Sequence, residues 1–326
     1  MNRCLLMLVL VTPAAVHAAE EATDAAVQQA IDRGLAFLSQ DAVKWKADHK
    51  CVSCHHAGMV VWAMNDARRA GHTVDEPLRS ELTNWMLEAG DGRSSLPRPE
   101  SAPKALNTKG LWFGLTLATI SDPQAGVEAG LSKLIATVRS DQAETGAWSA
   151  WPETRPPMFG PSDFSATAMA TLLLIGDAKT DPASQTSLTQ ATKWLDNTPP
   201  DEELQSTVLK LSVISRLERP AEERRLLISK VTERQNADGG WSQTAAHPSD
   251  AWATGQTLMA LRDAGVPKTD PALQRGRTFL VTNQQENGSW LMASRPTKPG
   301  GDGAKNLIPI IGAGSAWAVI GLSRSQ

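Results

Sequence analysis

The chain of 326 residues contains no tyrosine, only three cysteines and no long run of basic residues. The lack of basic runs, together with a formal net charge of −3, argues against a nucleic acid as partner. After residue 18, no segment approaches the roughly 20 apolar residues that a membrane-spanning helix needs. No convincing strand pattern interrupts the chain. We therefore expect an all-helical protein without a transmembrane segment.

The first 18 residues have the pattern of a secretory signal peptide. Arg3 precedes an apolar run that ends at Val11, and Val16-His17-Ala18 offers a cleavage site of small residues. The apolar run is too short to span a bilayer. We therefore expect cleavage after residue 18, one mature domain over residues 19–326, and a periplasmic or secreted location.

Cys51 and Cys54 are the two cysteines that remain after this cleavage, and residues 51–56 read Cys-Val-Ser-Cys-His-His. C-x-x-C-H is the pattern of covalent c-type haem attachment. The two thiols can form thioethers to the porphyrin, and His55 can bind the iron. Export favours this interpretation, because haem is attached outside the cytosol in bacteria. A Cys51–Cys54 disulfide and a zinc site completed by a further ligand are the alternatives.

The opposite face of the iron either has its own ligand or stays open. Met158, His247 and Met292 are candidates, because each lies in a loop expected on the same side of the molecule as the motif. A methionine ligand favours electron transfer, whereas an open site favours small-ligand binding or redox chemistry. The main functional prediction is therefore one covalent haem c in electron transfer or haem-based redox chemistry, with a redox partner that the sequence does not identify.

Tryptophan is abundant, with 11 residues, and three of these follow the pattern Q-x-x-x-G-x-W. The copies begin at Gln142, Gln235 and Gln284. The spacing between them indicates a repeat of about 50 residues. Each copy follows an amphipathic helix and precedes a second helix of small and apolar residues. This order of elements predicts a repeating array of helix pairs.

The same order along the whole chain predicts six helix pairs. Helices that are apolar nearly all round are expected inside, and those with one apolar stripe outside. The outer helices are predicted to begin near Ala25, Pro77, Gly126, Ser187, Ala221 and Pro271. The inner helices are predicted to begin near Ala57, Lys109, Ser162, Leu204, Ser249 and Gly314. The expected fold is an (α/α)6 toroid, with the C-x-x-C-H motif of residues 51–55 on the rim where the inner helices begin.

The repeated motif and the six helix pairs resemble the α/α-toroid of the squalene cyclase and protein prenyltransferase β-subunit group. In that group the motif is a structural clasp, which implies a structural role for Trp148, Trp241 and Trp290. Repeat 6 also resembles that of exported bacterial toroid proteins with a C-x-x-C-H in their first repeat. The resemblance implies an alternative function: a terpenoid cyclase or prenyltransferase-like enzyme, or a lipid-binding module with an apolar ligand in the cavity and structural cysteines.

The catalytic residues of that group are not found in this sequence. The chain has no D-x-D-D acid, and its cysteines lie outside the later repeats where the prenyltransferase zinc pattern belongs. Asp163 and Asp250 precede inner helices and are predicted to be N-caps. The inner ring is expected to lack a dense aromatic lining, and His72 is expected to be solvated. We therefore assign no catalytic residue from the sequence.

Overall fold

The computed structural model describes residues 21–49, 52–90, 106–150, 162–295, 303 and 305–326. Within these ranges it contains twelve α-helices and no strand, so the predicted all-α class is confirmed. The outer helices are α1 (Asp24–Asp48), α3 (Glu76–Glu88), α5 (Ala125–Ser140), α7 (Pro182–Asn197), α9 (Ala221–Thr232) and α11 (Pro271–Thr282). The inner helices are α2 (Met59–Arg69), α4 (Thr108–Leu117), α6 (Asp163–Asp177), α8 (Leu204–Arg216), α10 (Ala251–Asp263) and α12 (Ile308–Arg324).

Several sequence predictions concern residues outside these ranges. The predicted signal peptide, Cys51 and Met158 all lie there. Among the helices that the structure does describe, none is both long enough and apolar enough to cross a membrane.

Most helices begin within two residues of the predicted positions, and α7 and α12 are the exceptions. The former begins at Pro182, before the predicted Ser187, because Asp181 caps it by accepting a hydrogen bond from the backbone N of Ala183 at 2.9 Å. The latter begins at Ile308, before the predicted Gly314. Each of these helices has a proline in its first turn, where the missing N–H costs little.

The inner helices are buried nearly all round, as their composition predicted. Residues 251–261 of α10 and residues 312–323 of α12 are all buried. Helix α12 packs against α10 on one side and α2 on the other, which closes the ring. A Cβ atom on Gly255 would overlap the carbonyl group of Trp317. Glycine at this position therefore permits the backbones of α10 and α12 to touch.

The three Q-x-x-x-G-x-W copies are clasps between helices, as the resemblance implied. In each copy the indole Nε1 donates a hydrogen bond of 2.7–2.8 Å to a carbonyl of its own outer helix. The glutamine donates to a carbonyl of another outer helix, and Nε2 of Gln284 reaches the carbonyl of Ala30 in α1 at 2.9 Å. The third clasp therefore joins the last repeat to the first. Its Gly288 has a φ of +87° and no room for a side chain, because the carbonyl of Arg33 lies against it.

Candidate functional site

The described part of the C-x-x-C-H motif leads directly into the first inner helix. Ser53 is extended, residues Cys54–Gly58 form a π-helical turn, and α2 continues from Met59. The Oγ atom of Ser53 accepts a hydrogen bond from the backbone N of His56 at 3.0 Å and so caps the turn. The motif lies at the start of an inner helix as predicted, but Cys54 and His55 are helical rather than part of a loop.

The two acids proposed as caps have different roles. Asp250 is the N-cap of α10, since its Oδ1 accepts from the backbone N of Ala253 at 2.8 Å. The N-cap of α6 is instead Ser162, and Asp163 is the first helical residue. Oδ1 of Asp163 accepts a hydrogen bond from the backbone N of Ala150 at 2.8 Å. The prediction is therefore confirmed for Asp250 and wrong for Asp163.

Five side chains at the described part of the motif form what we call the histidine cluster: Asp41, Trp45, His49, His55 and His56. The indole of Trp45 lies between two imidazoles, with its centroid 3.8 Å from that of His49 and 4.3 Å from that of His56. Both stacks are almost parallel, with interplanar angles of 7° and 4°. The ring of His55 meets Trp45 edge-on at 5.0 Å. Helix α1 and the turn before α2 are thus joined through aromatic contacts.

Polar contacts run through the cluster from its buried side towards the surface. Oδ2 of Asp41 lies 2.8 Å from Nε2 of His56, whose side chain is 1% exposed. Nδ1 of His56 is in hydrogen-bond contact with Nδ1 of His55. Oγ of Ser53 lies 3.2 Å from the same nitrogen of His55. Protein contacts therefore occupy Nδ1 of His55, whereas its Nε2 has no hydrogen bond to any residue in the described ranges.

The imidazole of His55 is neutral at ordinary pH. Burial, followed by the charges of His56 and His49, lowers the pKa of His55 to about 3. A neutral imidazole is the form that binds a metal ion. Cys54 precedes it in the chain and is partly exposed. A partly exposed thiol on Cys54 and a neutral imidazole on His55 are thus the donor groups that haem attachment requires.

The described candidates for the opposite face of the iron, Met292 and His247, differ in what they contact, and Met292 does not face the histidine cluster. A Cβ on Gly312 would lie 3.4 Å from Nε2 of His56, whereas a Cβ on Gly314 would lie 2.5 Å from Sδ of Met292. Residues two positions apart on an α-helix point about 200° apart. Met292 is therefore on the far side of α12 from the histidine cluster. The ring of His247 contacts a threonine hydroxyl of its own loop at 2.7 Å.

A partly buried carboxyl group lies at the start of α10. Oδ2 of Asp250 accepts from Nε2 of Gln243 at 2.7 Å, and Oε1 of Gln243 accepts from Nε of Arg295 at 2.8 Å. Arg295 also donates to both carboxylate oxygens of Glu203 at 2.7 Å. Burial raises the pKa of Asp250 to about 6, and the hydrogen bonds that it accepts oppose this shift. The sequence predicted the cap but gave no sign of this protonation behaviour.

The centre of the ring is filled by tryptophans from four inner helices: Trp62, Trp112, Trp252 and Trp317. All four are buried, and their ring centroids lie 5.4–6.4 Å apart where they meet. Trp112 of α4 meets Trp252 of α10 at 6.3 Å, and these helices are not neighbours in the ring. That contact therefore crosses the ring axis. The expectation that the inner ring lacks a dense aromatic lining is therefore wrong. The sequence could not reveal this cluster, because each helix contributes a single tryptophan and spacing does not show that the four converge.

His72 lies at the other end of the inner ring and is not solvated as expected. Its side chain is 6% exposed, and its Nδ1 lies 2.7 Å from Oδ1 of Asp32. Its Nε2 lies 3.2 Å from the side-chain nitrogen of Gln326. It borders an open groove of about 790 Å³ beside α1. His72 therefore ties α1 to the end of the chain.

Comparison with known sequences gives partial matches. Residues 200–294 match the model of the squalene-hopene cyclase N-terminal domain. A stretch of 49 residues is 43% identical to enfumafungin synthase efuA of Hormonema carpetanum. This stretch covers 15% of the chain and only 4% of the synthase.

Comparison with solved structures covers nearly the whole chain. The type II terpene cyclase MstE from Scytonema has a TM-score of 0.56 at 14% identity, over 92% of this chain and 98% of that one. The unsaturated glucuronyl hydrolase of Bacillus sp. GL1 has a TM-score of 0.60 at 14% identity, over 91% and 96%. Another MstE structure contains geranylgeranyl dihydroxybenzoate as substrate. Because these proteins act on unlike compounds, the similarity establishes the α/α-toroid fold and leaves the chemistry open.

Proposed function

We propose that this protein is an exported α/α-toroid protein with one covalent haem c on the rim where its inner helices begin. In this proposal Cys51 and Cys54 form the thioether bonds, and His55 binds the iron. The observation that supports it is the state of His55, which is neutral, held at Nδ1 and without a hydrogen bond from Nε2 to any residue that the structure describes. Such an imidazole has the nitrogen that a metal ion requires, together with second-shell contacts that orient it.

A bound haem supplies a redox-active iron whose potential depends on its ligands and burial. The chain's own residues orient His55 and exclude water from its inner side, since Ser53 and His56 are buried. A partly exposed Cys54 keeps the outer side of the site near the surface. We therefore propose electron transfer or haem-based redox chemistry, in the periplasm or outside the cell, with a redox partner still to be found.

The test is a pyridine haemochrome spectrum of the full chain, produced in a periplasm that contains the haem maturation machinery. We expect a c-type spectrum and haem staining on a denaturing gel. The double variant Cys51→Ser/Cys54→Ser should abolish the covalent staining, because both thioethers are lost. Asp250→Asn is the matched control and should leave the staining unchanged. Wild-type protein without covalent haem under these conditions would rule out the proposal.

The alternative proposal is a terpenoid-handling enzyme, and the comparisons favour it over haem binding. The specific observation is Asp250, a partly buried acid with a pKa of about 6 within the segment that matches the cyclase domain model. Four buried tryptophans lie in contact at the ring centre, and a substrate that separated them would meet indole faces, which stabilise cations. In this alternative Asp250 holds a proton near neutral pH, Cys51 and Cys54 are structural, and an apolar substrate approaches the ring from the rim.

Product formation from squalene or geranylgeranyl diphosphate tests the alternative. We expect wild type to convert one of them and Asp250→Asn to lose at least about 100-fold in rate, as for loss of a general acid. Asp163→Asn is the control, since that carboxylate accepts a hydrogen bond from Ala150 at the start of another inner helix. Equal activity in the two variants would exclude Asp250 as the acid.

A further inference from the structure

The contacts inside the histidine cluster determine which nitrogen of each imidazole carries the proton. Oδ2 of Asp41 lies 2.8 Å from Nε2 of His56, although off the ideal line of a hydrogen bond. A lone pair on Nε2 at this distance would face a carboxylate oxygen and be repelled. The proton of His56 is therefore on Nε2, where the carboxylate attracts it.

A His56 that carries a single proton, on Nε2, presents its Nδ1 as an acceptor. That nitrogen contacts Nδ1 of His55, and one proton must lie between the two. The proton consequently belongs to His55. Oγ of Ser53 accepts from the backbone N of His56 and lies 3.2 Å from the same His55 nitrogen, where it can accept the proton of Nδ1 as a second partner. Nε2 of His55 is left with its lone pair.

The ring of His56 is held in this orientation. Trp45 stacks on one face at 4.3 Å, and the side chain is 1% exposed. Helix α12 packs beside it, since a Cβ on Gly312 would lie 3.3 Å from Oδ2 of Asp41 and 3.4 Å from Nε2 of His56. Rotating the ring by half a turn would place carbon atoms against both Asp41 and His55. The packing therefore prevents this rearrangement.

We propose that Asp41 and His56 are positioning residues that fix His55 in the tautomer with a protonated Nδ1 and a free lone pair on Nε2. This inference rests on the proposed function for its biological purpose, because that lone pair is the one His55 would give to iron. The tautomer itself is a property of the chain without haem. It can therefore be measured independently of haem attachment.

The experiment is long-range ¹⁵N–¹H correlation NMR of the full chain produced without haem maturation, which distinguishes the two tautomers of each histidine. We expect wild-type His55 to be protonated at Nδ1. In Asp41→Asn the amide can turn either its oxygen or its nitrogen towards His56. The tautomer preference of His55 should then fall by about tenfold or more, as expected for loss of a charged partner. Asp48→Asn, an exposed position on the same helix, is the control and should change nothing.

A second set of variants separates positioning from packing. His56→Leu removes the acceptor and should abolish the preference, whereas His56→Asn can place its Oδ1 near the former Nδ1 and should restore it. His49→Gln, on the other face of Trp45, should have no effect. A His55 that is protonated at Nε2 in wild type, or an unchanged tautomer in Asp41→Asn, would overturn the inference.

Haem-loaded protein provides the second readout. Because the carboxylate increases electron donation from His55, Asp41→Asn should raise the reduction potential while covalent haem staining persists. A potential equal to that of wild type would contradict the positioning role. If wild type has the predicted tautomer but never acquires haem, the positioning role of Asp41 and His56 is supported and the proposed function is overturned.

Discussion

The two ends of the inner ring differ in the environment of their titratable side chains. Where the inner helices begin, His55 has a strongly lowered pKa and Asp250 a raised one. Where they begin there is also an ion pair, between Arg295 and Glu203, but where they end the ion pairs form a network that joins several inner helices. Asp66 contacts Arg324 at 3.0 Å and also Arg69, and Asp263 contacts Arg324 at 3.3 Å. The first end is therefore suited to chemistry and the second to holding the ring together.

Helix geometry explains part of this difference. The carboxyl end of a helix carries a partial negative charge, which favours cations in the last turn. Four inner helices end with an arginine in that turn: Arg69, Arg216, Arg262 and Arg324. The amino end instead offers free N–H groups, which Ser53, Ser162 and Asp250 cap. Opposite ends of the same helices thus select different side chains.

The largest effect should come from breaking the ion pairs at the carboxyl end. Asp66→Ala removes a fully buried carboxylate that accepts from Nε1 of Trp62 at 3.2 Å and pairs with two arginines. We expect a loss of about 2–4 kcal/mol in the free energy of unfolding, below the about 3–5 of a fully buried pair because the arginines are partly exposed. Urea unfolding measures it. Asp48→Ala should cost almost nothing, and an equally small loss in Asp66→Ala would remove the contrast between the ends.

A smaller effect should appear at the amino end as a dependence on pH. The pKa of Asp250 rises from its ordinary 3.8 to about 6 in the folded state. Its contribution to stability is therefore full below about pH 4 and is lost as pH rises through 6. We expect the free energy of unfolding to fall by up to about 3 kcal/mol over this range. Asp250→Asn should flatten the profile, and an unchanged slope in that variant would assign the titration to another group.

The smallest effect should come from the pair that ties α1 to the chain end. His72→Gln loses its contact with Asp32, a carboxylate that is 62% exposed. Water screens such a pair, so we expect a loss of at most about 1 kcal/mol. Thermal unfolding measures it, with Asp32→Asn as the matched variant. A loss comparable to that of Asp66→Ala would show that this end depends on His72 as well as on the arginine network.

The sequence predicts the helices well because their signals are local. The outer helices at Ala221 and Pro271 begin where the apolar pattern and proline placed them. The start of α12 was missed because its first turn is apolar and contains a proline, so no polar cap marks it. The wrong predictions for the role of Asp163 and the exposure of His72 have another cause. Each depends on a partner distant in the chain or in another element, and spacing gives no information about such partners.

By itself the sequence determined the all-α class, the six helix pairs, the clasp tryptophans and the position of the C-x-x-C-H motif before an inner helix. These features depend on periodicity and on short spacings, which are local properties of the chain. Only the tertiary structure decided that four tryptophans meet at the ring centre, that Asp250 is partly buried with a raised pKa, and that Asp41 contacts His56, which in turn contacts His55. Those properties arise when separate helices converge and exclude water, because burial and distance between elements determine protonation and packing.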